Sequence, residues 1–222
     1  MQPFLTVITP TTGRTSLLRL IESVGEQDAG IAISHLLLWD DKREPGGPTP
    51  ARLESANRTS LVLPAGFGRF GEAPGSALRS IGLLWATTTW VTFADDDVWW
   101  ERSHVRALLG AAQGRSWAST LRRVWSPSGD VLGVDRFESV GDESSRRVPY
   151  EMCDNNTMVF LRQFGVGAAP MYRETRQYND DRLMYAFLKQ HAGPRGSTSR
   201  PTVNQVCPDR LVEFFRVNCS TA

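Results

Sequence analysis

Unbroken apolar runs that stop abruptly at polar residues constrain this chain more than any other feature of its sequence. Phe4-Leu5-Thr6-Val7-Ile8 stops at Thr9-Pro10, residues 33–39 stop at Asp40-Asp41, and Trp90-Val91-Thr92-Phe93-Ala94 stops at Asp95-Asp96-Asp97. A strand that is apolar at every position, rather than at every second one, is covered on both faces, the usual condition of a parallel strand with helices above and below it. Residues 4–8 are therefore expected to form the first, central strand.

The segments between these runs fit the same plan. From Ser16, read as an N-cap, Leu17, Leu18, Ile21 and Val24 repeat at helical spacing until Asp28-Ala29-Gly30 closes the segment. Residues 42–60, rich in Pro, Gly and charge, read as a loop, and Leu61-Val62-Leu63 as a short third strand. After the glycine-rich residues 64–74, Ala77, Ile81, Leu84 and Trp85 mark one face of a helix starting near Ser76. The order β, α, β, β, α, β predicts an α/β fold with a mostly parallel sheet and helices on both faces. Ligands of such sheets bind beyond the carboxyl ends of the strands, where residues 9–13, Asp40-Asp41 and residues 95–97 all fall.

The second half is less regular. Ser103 is read as the cap of a helix to about Ala112, and residues 117–125 with 131–134 as a hairpin around Ser126-Pro127-Ser128-Gly129. Residues 135–150 are polar and expected to be mobile. Met158-Val159-Phe160 suggests another strand, and Leu183, Phe187 and Leu188 put an apolar face on a helix beginning near Asn179. With 222 residues, 41% of them hydrophobic, the chain has enough material for one large α/β domain.

Charge and cysteine content narrow the functional classes. A formal net charge of +1 gives no footprint for non-specific nucleic-acid binding. Nearly every cation is arginine, the two lysines being Lys42 and Lys189; a general codon bias accounts for so wide a skew better than phosphate binding does. Cys153, Cys207 and Cys219 form no CxxC pair, which disfavours a disulfide framework or a structural zinc site. No run reaches the roughly 18 apolar residues of a membrane span. The expectation is a cytoplasmic protein with free thiols, one that can still dock peripherally on a membrane-bound partner.

Chemistry is concentrated at the strand ends. Three acids at the end of a buried strand can hold a hard cation such as Mg²⁺ or Mn²⁺, with coordination positions left for phosphate oxygens, or they can form a solvated acidic turn. Asp180-Asp181, at the start of the late helix, can supply a general base or merely favour the helix dipole. His191 can be a metal ligand or can meet carbonyls and water at a helix C-terminus. Trp99-Trp100 can stack on a sugar or pack in the core. Asp154-Asn155-Asn156 can meet substrate hydroxyls or form an Asx turn.

Taken together, Val7-Ile8-Thr9-Pro10-Thr11-Thr12-Gly13-Arg14, Asp40-Asp41, Ser76-Ala77-Leu78-Arg79-Ser80-Ile81-Gly82 with Ala86, and Phe93-Ala94-Asp95-Asp96-Asp97 resemble the GT-A fold glycosyltransferases of family 2 in order and spacing. The resemblance implies a single GT-A (Rossmann-like) domain, with residues 1–101 binding a nucleotide sugar and residues 102–222 binding the acceptor. It makes Thr9, Pro10 and Arg14 donor-pocket residues, Asp40 or Asp41 the base contact, Arg79 the base and diphosphate contact, Asp95 the ribose contact and Asp97 the metal ligand. Asp96 is carried with the donor group. Tyr178-Asn179-Asp180-Asp181-Arg182-Leu183 resembles the family's general-base element, with Asn179 in place of the usual Glu, and its register from Leu183 favours Asp180 as base over Asp181. Ser80 likewise replaces the family's usual Asn.

The implied function is inverting, Mn²⁺- or Mg²⁺-assisted transfer of a sugar from a nucleotide-diphosphate donor to a hydroxyl acceptor: a glycan, lipid-linked glycan, protein or small molecule. His191 is a candidate third ligand, and Trp99, Trp100, Asp154 and Asn155 are candidates for the acceptor side. Two other readings are a metal-dependent nucleotidyltransferase, which would be expected to carry a glycine-rich phosphate loop near the first strand, and a GT-A module that binds sugar nucleotide without turnover. Gly66, Gly68 and Gly71 match GxGxxG, but Pro74-Gly75 interrupts before helical periodicity begins, unlike a dinucleotide fingerprint.

Overall fold

The computed structural model describes residues 4–40, 44–64, 66–67, 75–142, 151–174 and 179–220. Its strands are β1 (Leu5–Thr11), β2 (Ile33–Asp40), β3 (Arg58–Leu63), β4 (Trp90–Phe93), β5 (Val98–Trp100), β6 (Trp117–Trp125), β7 (Val131–Asp135), β8 (Met158–Leu161), β9 (Gly196–Val206) and β10 (Cys219–Ser220). The helices are α1 (Leu17–Gly25), α2 (Pro50–Leu53), α3 (Ser76–Trp85), α4 (His104–Ala111), α5 (Arg162–Glu174), α6 (Asp180–His191) and α7 (Val212–Asn218).

One sheet runs through both halves of the chain. Strands β3, β2, β1 and β4 lie side by side and all parallel, as the unbroken apolar runs predict. From β4 onward antiparallel pairing predominates: β8 pairs β4 and β6, β7 pairs β6, and β5 pairs β9. The exception is β9, which runs parallel to β6. The expected hairpin is thus present.

Helices cover both faces. Leu17, Leu20, Ile21 and Val24 of α1 and Val105 and Leu108 of α4 pack on Leu5, Val7, Leu37 and Trp39. On the opposite face Leu78 and Leu83 of α3, Ala168 and Tyr172 of α5, and Met184, Tyr185 and Leu188 of α6 pack on Ile8, Leu38, Val91 and Phe93. Strand residues of alternate parity feed the two layers, because successive side chains leave a strand on opposite faces.

Several local expectations are corrected. Ser16 and Ser103 do stand at the N-cap positions of α1 and α4, but neither side chain makes a capping bond; α1 starts through turn bonds such as Leu17 N to Arg14 O, 3.1 Å. The loop expected over 42–60 contains α2 and the start of β3. The buried face of α6 is Met184, Tyr185 and Leu188, whereas Leu183 is exposed. Residues 135–142 are anchored, with Asp135 fully buried; the rest of that polar stretch lies outside the described residues. The cysteines are free, as expected. Among the described residues no helix is long and apolar enough to cross a membrane.

Candidate active site

Because β1, β2 and β4 are parallel, their carboxyl ends open on one side of the sheet, and α3 lies beside them. Gly75, in the left-handed region at φ 82°, lets the chain enter α3 close to β1: a Cβ there would sit 3.1 Å from Pro10 Cβ and 3.5 Å from Arg79 Nη1. This close approach places Arg79 against the acidic strand end.

The triplet divides by direction. Asp95 turns toward α3, where Arg79 Nη2 donates to its Oδ1, while Asn156 Nδ2 donates to its Oδ2 at 3.1 Å. Asp96 turns toward β1, where Thr11 Oγ1 donates to its Oδ2 at 2.6 Å. Asp97 is reached by Arg14 Nη1, 3.3 Å from its Oδ2, and its buried Oδ1 has no hydrogen-bond partner. Burial, with Asp95 and Asp96 close by, pushes the Asp97 carboxyl up to about 7. Burial also raises Asp96, against the opposing hydrogen bond from Thr11.

Asp180, in the first turn of α6, joins the same cluster. Its Oδ2 accepts from Arg79 Nη1 and from Ser76 Oγ, both at 3.0 Å, so one buried guanidinium ties together Asp95 and Asp180, 85 positions apart in sequence. Burial by itself lowers the Arg79 guanidinium, but these two carboxylates overcome it and hold it above its ordinary value. Asp181 faces elsewhere: its Oδ1 accepts from the Asn155 amide at 3.0 Å, and burial beside Asp180 and Asp154 raises its carboxyl well above the ordinary range.

Other candidates have different settings. The Thr9 hydroxyl is buried in a 2.9 Å bond to His35 Nε2, so it is turned into the sheet and away from a pocket. Asp40 caps β2 and accepts from the Gly66 amide at 2.6 Å, giving the first glycine of the GxGxxG run a bond to the end of β2; Asp41, Gly68 and Gly71 lie outside the described residues. Trp100 is 3% exposed and stacks on His104, so it belongs to the core and is not an acceptor platform. Trp99 is covered by Arg19, 3.3 Å from its ring centre, and packs on Trp125. Asp154 and Asn155 are likewise buried; Asp154 serves Arg122 and Asn156, and Asn155 Oδ1 accepts from Tyr172 at 2.8 Å. His191 is exposed against Phe187 at the far end of α6, about 16 Å from Asp180 at the helical rise per residue, and does not join the acids.

Thr11, Ser76 and Asn156 fall in segments that the sequence already grouped, but their bonds to Asp96, Asp180 and Asp95 were not legible there. Thr11 had the clearest local signal, since it lies in the polar segment that ends the apolar run of β1.

No family profile and no curated protein sequence matches the chain. Among solved structures, TarS 1–349 of S. aureus superposes with a TM-score of 0.64 at 16% identity, over 99% of this chain and 67% of that one. Its UDP-GlcNAc complex gives 0.66 at 12% identity, over 99% and 68%, and its UDP complex 0.61 at 15%, over 99% and 67%. This chain covers 40% of the longer TarS structure. It thus shares the mixed α/β fold of the TarS structures, with a central, mostly parallel sheet flanked by helices.

Proposed function

We propose that the protein is an inverting glycosyltransferase that moves a sugar from a nucleoside-diphosphate donor to an acceptor hydroxyl with the help of Mn²⁺ or Mg²⁺. The observation that carries this reading is the convergence of Asp95–Asp97, Arg79 and Asp180 at the carboxyl edge of the parallel strands. The solved complexes of TarS with UDP and UDP-GlcNAc, in a like fold, support a nucleotide-sugar donor.

The donor set fits a divalent ion held mainly by its substrate. Among the described residues no three His, Cys, Asp or Glu side chains group as metal ligands. The unpartnered, buried Asp97 Oδ1 is a hard oxygen donor, and a cation that takes one or two carboxylates plus phosphate oxygens needs no full protein cage. Asp97 would hold the ion, which when bound supplies charge stabilisation to the departing diphosphate.

The chain's own residues do the rest. Asp95 orients the ribose; Arg79, neutralised by Asp95 and Asp180 in the resting state, turns part of its charge toward the diphosphate. Asp180, fixed through Oδ2, takes the proton of the acceptor hydroxyl on Oδ1 as that oxygen attacks the anomeric carbon from the face opposite the leaving group. Asp181 holds the turn at Asn155 and is not assigned the proton. Trp99, the one partly exposed residue of β5, is the acceptor-side candidate.

A thermal-shift screen of UDP-, GDP- and dTDP-sugars with Mn²⁺ or Mg²⁺ tests the reading through linkage of binding to stability. A metal-dependent rise in melting temperature with one nucleotide is expected. No shift with any of them would sink the donor assignment.

A further inference from the structure

A buried string of polar groups crosses from the acidic strand end into the second half of the chain, and its middle member is Asn156. The Asn156 side chain meets Asp95 twice: Oδ1 accepts from the Asp95 amide at 2.6 Å, and Nδ2 donates to Asp95 Oδ2 at 3.1 Å. The same Nδ2, with the Asn156 amide, donates to Asp154 Oδ1 at 2.7 and 2.8 Å. Asp154 Oδ2 accepts from Arg122 of β6, whose guanidinium also reaches Asp135, Glu138 and Gln205. Asn156 and Arg122 are 2% and 3% exposed. The string therefore reads Asp180, Arg79, Asp95, Asn156, Asp154, Arg122, with an arginine near each end.

We infer that Asn156 is the positioning residue that sets Asp95, and with it the acidic strand end, for donor binding; the donor part of this inference rests on the glycosyltransferase reading above. Three physical points lead there. An amide side chain is the only uncharged group here that can accept from a backbone N–H and donate to two carboxylates at once. Without those donors, Asp95 and Asp154 would face each other across a low-dielectric gap with nothing between them. And because Arg122 is anchored by β6, the end of β7 and β9, the string fixes the donor-side acid relative to the second half of the chain.

The isosteric variant Asn156→Asp keeps the acceptor for the Asp95 amide but loses both donated bonds, which separates the two halves of the role. Amide hydrogen exchange at Asp95 and calorimetric affinity with Mn²⁺ are measured on wild type, Asn156→Ala and Asn156→Asp. The ligand is whichever of UDP, GDP and dTDP the wild type binds best. Asn156→Ala is expected to speed exchange at Asp95 and to weaken nucleotide affinity, each roughly tenfold or more. Asn156→Asp is expected to keep the amide protected and still lose affinity by a similar factor. Unchanged Asp95 exchange in Asn156→Ala, or wild-type affinity in Asn156→Asp, would overturn the inference. If Asn156→Ala fails to fold, Asn156→Ser takes its place in the exchange measurement. Wild type that binds no nucleoside diphosphate would defeat the glycosyltransferase reading, while exchange at Asp95 would still decide for or against positioning.

Discussion

Arg122 is the residue on which most buried charge depends. Its side chain is 4% exposed and meets Asp135, Glu138 and Asp154, so its loss leaves Asp135 and Asp154 buried without their cation, beside the partly exposed Glu138. Removing one partner from such a cluster costs about 3–5 kcal/mol. Arg122→Met is expected to lower unfolding free energy by that amount in urea titrations, and Arg122→Lys, which lacks the planar fork, is expected to recover only part of it. His104 gives a separate, pH-dependent prediction. It is fully buried, bonded through Nδ1 to Thr202 Oγ1 at 2.8 Å, and burial lowers its imidazole to about 3. The unfolded chain takes up a proton near the ordinary histidine value and the native chain does not, so His104 contributes stability that is present above about pH 6.5 and is lost as pH falls toward 3. His104→Asn should therefore lose less stability than wild type on acidification, by about 1.4 kcal/mol per pH unit in that window.

At the scale of elements, α3 shows how helix packing places a site residue. A Cβ on Gly82 would lie 2.8 Å from Leu38 Cδ1 and would also collide with Ile8, so α3 rests directly on β1 and β2 at that point. Gly82→Ala is expected to cost about 1–3 kcal/mol by overpacking, read from urea unfolding, and to shift Arg79 along with the helix. The apolar periodicity of α1 and the unbroken runs of β1, β2 and β4 were legible because burial on one stripe or on both faces writes itself into local sequence. By contrast, α5 escaped notice: Gly165, Gly167 and Pro170 look like helix breakers, yet a Cβ on Gly165 would lie 2.8 Å from Leu83 and Phe160, so this glycine serves close packing against α3 and β8. Likewise β9 carries Arg200, Pro201, Asn204 and Gln205 and shows no clean alternation. Its place is set by pairing with β6 and β5, which no local pattern records.

At the scale of the whole molecule, the candidate site is an edge of one sheet. The strand ends that carry Thr11, Asp40 and Asp95–Asp97 could be grouped from sequence because chain order and parallel pairing bring them to the same side. What the sequence hid was how their charges are shared. Asp180 is held by Arg79, Asp95 by Asn156, and Asp154 by Arg122, through contacts spanning 101, 61 and 32 positions. Such contacts follow from tertiary packing, and they explain why the buried Trp100, Asp154 and Asn155 belong to the scaffold while His191 falls outside the cluster. The most direct measurement is a calorimetric titration of the best-binding nucleotide sugar into wild type, Asp97→Ala and Asp180→Asn, with and without Mn²⁺. Expected is binding by wild type that depends on Mn²⁺, loss of that dependence in Asp97→Ala, and donor binding without transfer in Asp180→Asn. Binding that ignores both Mn²⁺ and the loss of Asp97 would contradict the assignment of the acidic strand end as the metal and diphosphate site.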